Sequence, residues 1–513
     1  MKTTSPQLFN LIKSLNKAEK SYFKKNIKSF QSGSRENQYL KLFNALDKQE
    51  EFDEASIINK FKGDPLIKQF SVSKNYLYNL ILKTLVGFHS GKTIEAILNR
   101  QIDNSSVLYN KGFYRECIAE LKRGKKLSYK YDKHDYLLTI IKKEKQLITD
   151  LKTDDLDNDL RKEVMEEEAV FNKIATENKL SVVYFNLLKE VRSRRIIRSK
   201  DEMTRLAELT KDILLLEEKA LPTFVSLNYY YGIQVFYNYL SNQFGRSVEF
   251  GLKHQRMWDQ SPWRMLDNPQ EYLDITYYFL SSCFQTRNFQ EIIRGIYKLK
   301  STGITNPQQA TQRYFIYYSI LIRYYASLFM YNELEDILYD VNRQYDEYSK
   351  HMLHDQHITI CLNMIIAHFI MEQYSMSLKW LNRFFVIRKP GVREDAYAFT
   401  RIFNLIIHFE LGNNDLLEYT VKSTYRDMTR KQKLYQFEKS ILTFIKKVSA
   451  MPGENEYSHL LQDLENQLKE INKDPLESEA MRYFNFIGWI ESKLHKMSYR
   501  EYNSQIARKL KPQ

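Results

Sequence analysis

Apolar residues return every three to four positions along almost the whole chain, which is the signature of amphipathic helices. In Leu108-Tyr-Asn-Lys-Gly-Phe-Tyr-Arg-Glu-Cys-Ile-Ala-Glu-Leu121 one such helix ends, Gly112 makes a tight turn, and a second helix begins. The same helix–turn–helix signal recurs near Asp155, Ser199, Phe244, Asn288, Asn332, Gln373, Asn413, Gly453 and Met497. The intervals run from 40 to 45 residues, and a fixed period of that length built from two helices marks an α-solenoid. Each pair carries an apolar face that only its neighbours can cover, so the array must stack.

Residues 1–90 read as shorter helices than the rest. Pro6 opens one. A second, Asn16 to Phe30, carries Lys17, Lys20, Lys24, Lys25 and Lys28 and ends at a loop around Gly33. Asn37 to Asp47 and Asp53 to Phe61 follow, and Ser73 reads as the N-cap of a longer helix through Phe88. The expected organisation is a basic helical region over 1–90 and a repeat array over 91–513. The fold class is all-α, a right-handed α–α superhelix of roughly ten helix pairs.

Composition supports this. Only 15 Gly and 10 Pro occur in 513 residues, about 5% against an ordinary ~12%, and sheet-rich folds need more turn residues than that. The 37 Tyr and 30 Phe suit wide gaps between packed helices. Three separated cysteines form no disulfide framework, and the N-terminus lacks a secretory pattern. Thr223 to Leu240, the most apolar stretch, is broken by Asn228, Gln234 and Asn238 and reads as a buried helix. A cytoplasmic protein with no membrane partner is expected.

Particular residues carry a resemblance. Gly112, Tyr114, Cys117 and Ile118 stand at the offsets of turn glycine, aromatic, small residue and aliphatic found in tetratricopeptide repeats. Ala367, Tyr374, Ser377, Leu378 and Leu381 are similarly placed, and Phe244, Ser247 and Val248 match more loosely. These three windows resemble that family, which implies a superhelix with a groove for a protein or peptide. The period here exceeds the family's.

Charge adds a second theme. Residues 1–150 hold 28 Lys/Arg against 16 Asp/Glu, while 151–513 hold 49 against 47, so almost all of the +14 lies in the first third. Clustered cations are what phosphate backbones require. The candidate polyanion contacts are Lys17, Lys24 and Lys28, with Lys122, Arg123, Lys125 and Lys126 in a second run. Arg192 to Lys200 is a third dense run. Both later runs also read as solvated helix ends, where cations complement the helix dipole. The acidic stretch Asp154 to Glu168 lacks the central Gly of a calcium loop and could pair with the basic first third.

His354, His357 and Cys361 share one helical face and could take three positions around zinc, but no fourth ligand accompanies them, and no metal is expected. No catalytic or nucleotide-binding motif is present and no cofactor is implied. The tyrosine-rich runs at 229–239 and 314–325 read as core. The sequence therefore points to a non-enzymatic protein that binds a protein or peptide along a groove. The alternative is a nucleic-acid-associated regulator using the basic N-terminal helices, with the solenoid as sensor or dimeriser.

Overall fold

The computed structural model describes residues 6–27, 36–91, 93–151, 155–193, 197, 200–267, 269–304, 306–431, 434–450, 457–474 and 477–510. Among these every regular element is a helix and there is no strand. Consecutive helices pack as neighbours along the chain, the arrangement of a repeat array. No helix among the described residues is long and apolar enough to cross a membrane.

Helix pairing begins with Ile94–Asn110 and Tyr114–Lys130 and continues to Phe486–Leu494 and Tyr499–Leu510. What reverses the chain within most pairs is a single residue in the left-handed region. Gly112, Asn242, Arg287, Phe329, Glu372, Gly412 and Lys496 all have φ between 54° and 77°. At each, the next peptide N–H bonds to the carbonyl five residues back, from Phe113 to Leu108 at 2.9 Å through Asn288 to Cys283 at 2.8 Å to Met497 to Ser492 at 2.9 Å. This is the Schellman termination, which satisfies carbonyls a helix end would otherwise leave free. Asp132, at φ 51°, makes the same turn between one pair and the next. Only two of these eight residues are glycine. Asn242 and Asp132 tolerate this region, while Arg287, Phe329, Glu372 and Lys496 accept a cost of roughly 1–2 kcal/mol each, because an antiparallel partner must start at once.

Five residues beyond the left-handed position, three pairs carry a small side chain facing the first helix. Ser247 Oγ donates to Val235 O at 3.1 Å, Ser377 Oγ to Ile365 O at 2.7 Å, and Cys117 Sγ to Ser105 O at 3.2 Å. These three pairs have the most extensive inter-helix contact in the chain. Ile292, Leu334 and Leu417 fill the equivalent place elsewhere and hold their pairs less closely. A Cβ on Gly232 would strike Tyr184 and Ile275, so that glycine is required by close approach.

One expected turn falls differently. Between Asp155 and Ser199 the chain forms a single helix, Leu156–Ser193, where the period allows two and a loop. Its sequence contains neither Gly nor Pro to interrupt it. The helix expected to start at Ser73 starts at Phe70, and Ser73 is buried with its hydroxyl on Leu66 O at 3.1 Å, so it ties the helix to the preceding turn and caps nothing. The expected loop at Gly33 and the turn residues Ser199 and Gly453 lie outside the described residues.

The chain divides into two compact units, 1–171 and 172–513. In the second, one continuous apolar core runs from Leu180 to Tyr499. The first helices of its pairs, Phe224–Leu240, Gln270–Gln285, Pro307–Ser327, His354–Ile370 and Glu394–Glu410, are buried around their whole circumference, including both tyrosine-rich runs. The second helices bury one face only, as in Leu334, Leu338, Val341 and Tyr345 of Tyr331–Tyr348. Part of the cover on the first helices comes from the C-terminal segment. Phe484 and Tyr499 pack edge-on against Phe369, Tyr483 packs at a tilt against Phe399, and Arg500 N donates to Glu372 Oε1 at 2.9 Å.

Unit 1 has a compact core over Leu8 to Ile81 and a second small one of Cys117, Leu121, Ile140 and Leu147. Around that second core the helices are joined largely by charge. Lys125 Nζ lies 2.6 Å from Glu144, 3.1 Å from Glu163 and 2.8 Å from Glu166, Lys145 pairs with Glu167 at 2.5 Å, and Lys133 pairs with Glu95.

Two expected outcomes follow from this packing. Arg287 is exposed at its left-handed turn, so Arg287→Gly should raise stability by about 0.5–1 kcal/mol, whereas Gly412→Ala, at φ 68°, should lower it by about 1 kcal/mol. Denaturant midpoints will read both. The second concerns His254, wholly buried, whose Nε2 faces Asn228 Oδ1 at 3.0 Å while Nδ1 has no partner. Burial, with Lys298 nearby, depresses its pKa to about 3. The folded state therefore holds His254 neutral while the unfolded chain takes up a proton below about pH 6.5. Stability should fall by about 1.4 kcal/mol per unit as pH drops from 6.5 toward 3. Melting curves of His254→Gln against pH should be flatter than those of the native chain, and an unchanged slope would contradict the assignment.

A lysine-lined depression in the N-terminal module

Helix Lys17–Asn26 is set by its cap. Asn16 Oδ1 accepts from Glu19 N at 2.9 Å, and Glu19 Oε2 accepts from Asn16 N at 2.9 Å. The Glu19 carboxylate also meets His89 Nε2 at 2.9 Å, so the cap fixes this helix to the end of helix Phe70–His89. Phe23 points into the core, 4.7 Å from the Phe43 ring. With that face buried, Lys17, Lys20, Lys24 and Lys25 are left along one side. They line an open depression of about 660 Å³ together with Ser21, Leu40 and Asn44.

The four cations are not equivalent. Lys20 is paired with Asp47 at 2.7 Å, and Lys24 Nζ sits 5.4 Å above the Phe43 ring. Lys17 and Lys25 are exposed. Lys24 and Lys25 lie in the last turn, where the helix dipole favours cations. Lys17 occupies the first turn, where the dipole opposes it, so helix stability does not account for its presence. Lys17 and Lys24 stand two turns apart, about 10.5 Å along the axis, with Lys20 between. That spacing suits an extended polyanion better than one phosphate. Lys20 and Lys25 were readable as partners of Lys17 and Lys24 from their helical spacing; the Leu40–Asn44 wall, from another helix, was not. Lys28 lies outside the described residues.

The second candidate run is placed in mid-helix, not at an end, within Tyr114–Lys130. Gly124 there packs against Ile140. Lys122 and Lys126 are exposed, and Arg123 pairs with Glu120 at 2.7 Å. Lys125 differs from its neighbours. Burial alone would depress its pKa, but the Glu144, Glu166 and Glu163 carboxylates outweigh that and raise it. Its charge is committed to joining three helices, and the acidic stretch supplies two of its three carboxylates. Of the third run, Arg192 pairs with Asp274 at 2.6 Å, and Arg194, Arg195 and Arg198 lie outside the described residues.

The His354, His357 and Cys361 face is taken up by other bonds. His354 Nε2 accepts from Lys389 N at 3.1 Å, and Tyr345 OH bridges His357 Nδ1 at 2.9 Å and Cys361 Sγ at 3.8 Å. Burial lowers the pKa of both histidines and raises the Cys361 thiol to about 12, far from a ready metal-binding thiolate. Among the described residues no group of three or more His, Cys, Asp or Glu could hold a metal ion. The chain matches no protein-family model, and no curated protein is detectably similar to it in sequence.

Proposed function

We propose that this chain is a non-enzymatic, cytoplasmic interaction protein built on a tetratricopeptide-like helical frame, and that its N-terminal module contacts a nucleic-acid backbone. The observation that carries this reading is Lys17, exposed in a first turn that disfavours it, in line with Lys20 and Lys24 along one depression. Phosphate contact through lysines releases counterions, is strongly salt-dependent and needs no base-specific groups.

A protein partner is the second reading, and it moves from the groove to the outer helices. The helices that would line a groove in 172–513 are buried on every side, and a peptide reaching His354–Ile370 or Glu394–Glu410 would have to displace the segment around Phe484 and Tyr499. Tyr297, Tyr339 and Tyr419, all on second helices, are exposed, and aromatic anchors of that kind carry protein interfaces.

Binding to a mixed-sequence duplex DNA across a salt series separates the two readings. Lys17→Glu with Lys24→Glu should weaken binding and reduce the log–log salt slope by about 2, close to one per phosphate lost. Stability should fall by no more than about 2 kcal/mol, from the Lys24 contact with the Phe43 ring and its place in the last turn, since Lys17 is exposed. Lys125→Glu should do the reverse, lowering the melting temperature by leaving Glu144, Glu163 and Glu166 facing a further carboxylate. Binding that ignores salt, or survives both reversals, would remove the lysine surface from the account.

A further inference from the structure

Helix Phe70–His89 shows two opposed faces. Leu77, Leu80, Ile81 and Thr84 enter the N-terminal core. On the other side Val72, Asn75, Tyr76, Asn79, Leu82, Lys83 and Val86 are exposed, Val72 to 63% and Val86 to 72%. These residues recur at three- and four-residue intervals and make one stripe. The helix contains no acidic residue in 20 positions.

The elements before it hold it rigidly. Helix Glu54–Lys60 is capped by Asp53, whose side chain accepts from Ser56 N at 3.0 Å. The chain then turns at Gly63, φ 92°, and passes through Pro65–Lys68 into the long helix. Lys74 pairs with Glu54 at 2.5 Å, and Ser73 Oγ bonds Leu66 O. The long helix, presented beyond the connection over 61–69 with one face exposed, is an element of the kind that readers of duplex DNA place in the major groove. Lys60, Lys62 and Lys68, on the short helix and the turn, are all exposed, where a reader of this kind meets phosphates.

We infer that the exposed face of helix Phe70–His89 enters the major groove of duplex DNA. The inference rests on the nucleic-acid reading above and adds the partner's form and the reading residues. Charge decides the occupant: the stripe holds Lys83 and no acid, and exposed Lys60, Lys62 and Lys68 precede it in the chain, so it fits a polyanion. Its chemistry is that of base edges. Asn75 and Asn79, one turn apart, each offer an acceptor for the N6 amine and a donor for N7 that adenine presents in the major groove, and Val72 and Val86 offer methyl contacts for thymine. The Asn79 amide already lies 3.4 Å from Asn75 Oδ1, so both amides point to the same patch.

The test is selection by the full-length chain from a random duplex library at physiological salt, followed by affinity measurement on selected and scrambled duplexes. The inference expects an enriched motif bound at least 10-fold more tightly than the scrambled duplex. Asn75→Ala with Asn79→Ala should abolish that preference, yet leave scrambled-duplex affinity, its salt slope and the melting temperature unchanged. Equal enrichment of single strands, no motif, or a preference that survives the double substitution would overturn it. If no motif appears but Lys17→Glu with Lys24→Glu still weakens binding, this inference fails and the lysine surface stands. If the native chain binds no duplex at all, both fall.

Discussion

The buried guanidinium of Arg393 is the interaction on which the larger unit depends. Only 1% exposed, it donates to Asp395 through Nε at 3.0 Å and Nη2 at 3.0 Å, to Thr359 Oγ1 at 2.9 Å and to Tyr483 OH at 2.8 Å. Its backbone N–H donates to Ser193 O at 2.9 Å, and its own φ is 52°. Four separated parts of the chain thus meet at one residue: the end of Leu156–Ser193, helix His354–Ile370, the start of Glu394–Glu410 and the segment around Tyr483. A buried charge is tolerated only when its donors are met, and here the bonds that meet them also hold the C-terminal segment against the first helices.

This closure explains the contrast between the two kinds of helix. A repeat whose first helices faced an open groove would show them polar on one side. Here Phe369 and Phe403 sit under Phe484, and the first helices are buried all round because the chain covers them itself. The region around Lys125 is built on the opposite principle, with a small core and charged seams. The N-terminal module is different again, with a full core and an unbalanced surface. The proposed nucleic-acid contact is placed on that module because Lys17 there is a charge that helix stability does not require.

Much of the architecture was legible in the hydrophobic period. The positions near 244, 288, 332, 373 and 413 each lie within a few residues of a left-handed turn residue. Turn chemistry alone would have missed most of them, since Arg287, Phe329 and Glu372 are poor left-handed residues that tertiary packing holds in place. The long helix Leu156–Ser193 escaped because a period says where a turn fits, not whether the chain contains a residue able to break there. That Lys17 and Lys24 share one side of a helix was legible from their spacing. The commitment of Lys125 was not, because its partners lie 19 to 41 residues away in sequence. Arg393 gave no signal at all: Arg388-Lys-Pro-Gly-Val-Arg393 reads as a polar surface loop, and only the fold buries its last residue.

Hydrogen–deuterium exchange on the full-length chain, with and without a short mixed-sequence duplex DNA at low salt, addresses the division of labour between frame and contact surface. Binding should protect helices Lys17–Asn26 and Phe70–His89, and leave exchange in Phe224–Leu240, His354–Ile370 and Glu394–Glu410 as slow as in the free chain. Protection absent from the N-terminal helices, or a change in exchange where residues 478–510 cover the first helices, would contradict the account.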